Sequence, residues 1–70
     1  MMTGAEVQKQ FTEAPDSVAK IFAKALEDFG YAGVTNELVR ECLDKLAAGE
    51  PVHPGATGVF VQGWWENGIS

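Results

Sequence analysis

Helix breakers cut this 70-residue chain into short pieces, and that limits its fold more than any other feature. Pro15, Gly30, Gly49 with Pro51, and Asn67-Gly68 each fall where a run of helically spaced apolar residues gives out. Proline suits the first turn of a helix but not its interior, and glycine past the last turn supplies the left-handed residue that ends one. Between these points the spacing predicts helices over approximately residues 4–13, 16–29, 36–48 and 58–67. The expected fold is all-α, a small bundle of three to four short helices in one domain, 1–70, built on a central antiparallel helical hairpin.

The hairpin comes from the middle of the chain. In the second segment Val18, Ile21, Phe22, Ala25, Leu26 and Phe29 recur on an arc of about 140°, with Lys20, Lys24 and Glu27 opposite. Gly30 and Tyr31 then fit a glycine cap followed by an apolar residue. Thr35 is the expected N-cap of the third segment, with Val34 placed to staple against Val39. Leu38, Val39, Cys42, Leu43 and Leu46 share one face of it; Glu37, Arg40, Glu41 and Asp44 share the other. Glu41 and Lys45 are spaced as an i,i+4 ion pair. The first segment opens on Thr3-Gly-Ala-Glu6, a capping-box spacing, but its apolar stripe is thin: Val7 and Phe11. A helix that short must dock on the bundle or fray.

The last segment, Gly58-Val-Phe-Val-Gln-Gly-Trp-Trp-Glu-Asn-Gly-Ile69, holds both tryptophans and is apolar around most of its circumference. As a strand it has no clean face, so helix is the preferred reading, with Thr57 as N-cap and Ile69 packing back past Gly68. Advancing about 100° per residue, the apolar arc from Val59 to Trp65 spans about 240°, far more than one core face uses. Phe60 and Trp64 are expected to enter the core, while Val61 and Trp65 point elsewhere.

Ten acidic against five basic residues leave a net charge of −5, which disfavours nucleic acid and anionic membranes as partners. No apolar run approaches the ~18 residues that would cross a bilayer, so no membrane insertion and a cytoplasmic location are expected. One cysteine and one histidine do not make a usual zinc site, and the acids match no calcium-loop spacing. His53, between Pro51 and Pro54 in the Glu50–Thr57 loop, reads as a solvent-exposed loop histidine, with only Glu50 near it as an orienting acid. Cys42 reads as a small hydrophobe of the core. Gly55-Ala-Thr-Gly58 ahead of a helix lacks the lysine of a phosphate loop. No catalytic residue, metal, cofactor or small-molecule ligand is therefore expected.

Gly30–Val34 between two helices also admits a helix-turn-helix regulator, with Asn36 and Arg40 for base edges, yet Glu37, Glu41 and Asp44 would face phosphates. An acidic mimic of DNA is the related alternative. The preferred function is protein–protein interaction with another protein or a second copy of the chain, through Val61, Trp65, Trp64, Phe60 and Ile69, because adjacent indoles diverge by about 100° on a helix and rarely serve one small core.

The run from Leu38 to Ile69 resembles short uncharacterised accessory proteins of actinobacteria and their tailed phages. The likeness lies in a leucine-rich helix ending Leu-Ala-Ala-Gly-Glu, a Pro/Gly loop, Gly-Val-Phe-Val-Gln-Gly and a closing Gly-Ile. It covers under half the chain and implies a small accessory protein that binds and modulates a host protein; no activity or site residue follows from it.

Overall fold

The computed structural model describes residues 2–52 and 55–69; the reading of His53 as an exposed loop residue lies outside them. The fold is all-helical, with four helices in order: α1 (Gly4–Glu13), α2 (Pro15–Asp28), α3 (Asn36–Ala47) and α4 (Ala56–Asn67). Their limits lie within about two residues of those the spacing predicts, because the cap chemistry is local.

Thr3 and Thr35 cap α1 and α3 through their hydroxyls, accepting from the backbone N–H of Glu6 and of Leu38. The reciprocal arm of the capping box is absent, since the Thr3 hydroxyl donates to Glu6 Oε1 instead. Two helices end in full Schellman motifs. Tyr31 N–H reaches the Leu26 carbonyl and Gly30 N–H that of Glu27 in α2; Glu50 reaches Lys45 and Gly49 reaches Leu46 in α3. Gly30 and Gly49 hold φ of 93° and 75°, the left-handed region open to glycine at no cost. α4 starts earlier than expected: Gly55, not Thr57, is its N-cap, with no side-chain hydrogen bond.

The helices close into a ring. α1 packs on α2, α2 on α3, α3 on α4, and α4 on α1. The α2–α3 hairpin is thus one edge of four. α1 does not fray: Val7 is fully buried and Phe11 nearly so. Its start is bound tightly to the end of α4. Met2 and Ile69 exchange both backbone hydrogen bonds at 2.8 Å as an isolated antiparallel bridge. Gln8 Nε2 donates to the Trp65 carbonyl at 3.1 Å. Gly4 lies against the backbone of Glu66 so closely that a β-carbon there would sit 2.7 Å from its carbonyl carbon. Ile69 therefore pairs with Met2, rather than ending α4 as an ordinary cap residue.

The core is Val7, Phe11, Val18, Ala19, Phe22, Ala23, Leu26, Val39, Cys42, Leu43 and Val61. α3 contributes the face its pattern predicts, with Leu46 packed at the edge. α2 departs from its pattern. Ile21 and Phe29, expected inward, are exposed, and Ala19 and Ala23 are buried in their place. In a ring each helix faces two neighbours, so the buried arc is set by where both sit and not by the centre of the apolar stripe. On α2 the alanine flank is the one its neighbours cover.

Candidate functional site

α4 carries the residues singled out for binding, and the ring decides their fates. On the helical wheel Val61 lies between Trp64 and Trp65, about 60° from one and 40° from the other. α1 covers the Trp65 side and α2 the Trp64 side, so Val61 becomes the centre of the buried face. It is 0% exposed, which corrects the expectation that it points away from the core. The expectation failed because α1 seemed too thin to cover a second flank of α4.

The indoles have matching environments. Trp65 meets Phe11 of α1 edge-on at 5.6 Å, and Trp64 meets Phe22 of α2 edge-on at 5.1 Å. Both are half-buried, as is Phe60. The expected division, Trp64 inward and Trp65 outward, does not describe this arrangement: both serve one small core, each wedged at one of its seams. Ile69 is half-buried beside the Met2 bridge.

The exposed apolar surface lies one step away from the residues expected to form it. Phe29 is 68% exposed, Val59 64% and Ile21 45%. Phe29 follows the last turn of α2 and stacks on both Phe60 (6.0 Å, 25°) and Trp64 (6.4 Å, 27°) of α4. Tyr31 closes the other side of Phe60 edge-on at 5.4 Å. Val59, adjacent to Phe60, stands on the outward side of α4. The result is an aromatic edge, Phe29–Phe60–Trp64 with Tyr31 and Val59, whose inner members are anchored in the core and whose outer members meet solvent. Stacking on two rings holds Phe29 in place, so it presents a preordered apolar face rather than a free side chain.

The sequence held a signal for Phe29: it sits after the last turn, where a stripe residue runs beyond the reach of neighbouring helices. Nothing in the local pattern distinguished Val59, which marked one end of an arc that was apolar nearly throughout.

A second surface has the opposite character. Asp16, Asn36, Glu37, Arg40, Glu41 and Asp44 line a shallow groove where α2 begins beside α3. Arg40 contacts the Asp16 carboxylate, donates from Nε to Asp44 at 3.0 Å, and lies over the Phe11 ring at 5.6 Å. Hydrogen bonding to Asp44 and the charges of both acids hold its guanidinium pKa above the ordinary value. The one arginine in the chain is thus turned to its own carboxylates, in the helix that a DNA-binding reading would place against phosphate. Glu41 and Lys45 form the expected pair, 3.7 Å apart.

Cys42 is in the core, 3% exposed. Burial, with a smaller contribution from Glu41, pushes its thiol pKa up, opposite to what a reactive cysteine needs. Among the described residues no helix is long and apolar enough to cross a membrane. Compared with family models, curated proteins and solved structures, the chain matches none.

Proposed function

We propose that this chain is a small acidic, non-enzymatic protein–protein interaction module whose contact surface is the outward side of α4 with the end of α2. The observation that carries the reading is the pairing of Phe29 and Val59, both about two-thirds exposed, around half-buried Phe60 and Trp64. Aromatic residues fixed in a rim and backed by a packed core are the usual composition of binding hot spots. An exposed apolar patch on a small domain has a solvation cost that folding alone does not relieve. The surface keeps Phe60 and Trp64 from the set read in the sequence, adds Phe29 and Val59, and leaves Val61 as its buried support.

Together with the resemblance of residues 38–69, the reading extends to a phage-type accessory protein that binds and modulates a host protein. Nucleic acid is a poor partner for a chain of net charge −5 whose arginine is already paired.

A photoreactive phenylalanine analogue at position 59, expressed in the cell that makes the chain, tests this. The expected result is one dominant covalent adduct with a protein, absent when the analogue is placed at exposed Gln10 on α1. Equal, diffuse labelling from both positions would refute the reading.

A further inference from the structure

The outward side of α2 carries an apolar ridge of its own. Ile21, Ala25 and Phe29 follow one another at i+4 spacing. Beside them Ser17, Lys20, Lys24 and Asp28 complete a shallow, largely apolar groove along the helix. The charges are ordered along this face: Lys20 and Lys24 in its first half, Glu27 and Asp28 at its end. That order opposes what the helix needs by itself. A helix C-terminus favours cations, yet the last turn of α2 holds two acids and no base. Lys24 approaches Asp28 at 3.8 Å, while Lys20 and Glu27 make no ion pair among the described residues.

We propose that α2 is a self-association surface on which a second copy of this chain docks, α2 against α2 in antiparallel, about a two-fold axis through Ala25. The symmetry brings the basic half of each helix against the acidic end of the other, so Lys20 faces Asp28 of the second copy twice over. Parallel docking would oppose like charges. Ile21 of each copy meets Phe29 of the other, and Ala25, the smallest member of the ridge, lies at the crossing where the backbones come closest. Ridges of i±4 spacing interdigitate in the commonest class of helix packing. The interface is isologous and closes at two copies. This inference rests on the reading that the exposed apolar side chains are contact surface, and it assigns the Ile21–Phe29 ridge to a second copy, leaving Val59 free for a different protein.

Sedimentation equilibrium over a hundredfold concentration range, with charge variants, tests it. Lys20→Glu/Lys24→Glu makes the face uniformly acidic, and Glu27→Lys/Asp28→Lys makes it uniformly basic. All four positions are exposed, and thermal melts confirm that each variant is folded. The expected result is a monomer–dimer equilibrium for the parent, a dissociation constant raised roughly tenfold or more in each variant alone, and recovery of the dimer when the two are mixed. Zero-length carbodiimide cross-linking of the parent supplies a readout without substitutions. Lys20 and Asp28 are about 12 Å apart along one helix, so a Lys20–Asp28 link in the covalent dimer joins two copies. A parent that stays monomeric, or a dimer indifferent to the charge changes and lacking that link, overturns the proposal. The adduct from position 59 is read separately, so loss of self-association leaves the interaction reading standing, and loss of the adduct leaves the dimer standing.

Discussion

Gly4→Ala should destabilise this protein although alanine is the better helix former. In a free helix the change would gain about 1 kcal/mol from propensity. Here the new β-carbon would be 2.7 Å from the Glu66 carbonyl carbon, closer still to its oxygen, and 3.1 Å from the Trp65 carbonyl oxygen. These are backbone atoms of a helix and cannot turn aside, so the first turn of α1 must lift from α4. The two Met2–Ile69 hydrogen bonds and the Gln8 bond to Trp65 then loosen, at about 1 kcal/mol each. The edge-on contact of Phe11 with Trp65 weakens as well. Set against the propensity gain, the net loss is about 2 kcal/mol, or about 10 °C in Tm for a domain this size. Thermal denaturation by circular dichroism reads it. Gly63→Ala is the control, since a β-carbon there meets nothing within 4 Å and that variant should be slightly stabilised. A Gly4→Ala protein as stable as the parent would refute the close approach of α1 to α4.

Trp64→Ala and Trp65→Ala should each cost about 2–4 kcal/mol in chemical denaturation, because each indole packs at one seam of the same core. Loss confined to one of them would separate the seams. The Cys42 thiol, raised by burial, keeps its proton in the fold at a pH where the unfolded thiol ionises. Its contribution is complete below the unfolded pKa, roughly 8.5, and is lost as pH climbs from there towards the folded value. Unfolding free energy between pH 8 and 10 should therefore fall more steeply in the parent than in Cys42→Ala, and parallel slopes would contradict this. Gly55→Ser should stabilise by about 0.5–1 kcal/mol in thermal melts, since α4 lacks a side-chain cap and the site is open; an unchanged Tm counts against it.

The helices were legible where the determining chemistry is local. Thr3, Thr35, Gly30 and Gly49 act within one turn of themselves, and α3 has one apolar face with one arrangement that buries it. Orientation was legible only where the pattern was one-sided. α4 is apolar on most of its circumference, so its burial depended on α1, a helix whose two large apolar residues gave little sign of how firmly it docks. Gly4 was the overlooked sign: a glycine inside a helical turn often marks a close backbone approach. The Met2–Ile69 bridge joins residues too far apart in sequence for any periodicity to reveal. The same dependence hid the candidate surface, because Ile21, Phe29 and Val59 are outward only once the positions of both neighbouring helices are known.

The seam between α1 and α4 also sets a condition on how the chain is made. Phe11 is synthesised early, but its partner Trp65 and the Ile69 strand partner of Met2 come near the end of the described chain. Until those residues leave the ribosome, α1 has only α2 to rest on, and the far side of its apolar stripe stays wet. Closing so long a loop adds little entropic cost beyond that of a shorter one. The ring is therefore completed late, after the last helix has emerged, and the nascent chain spends its elongation as a partly covered hairpin with an unsatisfied first helix.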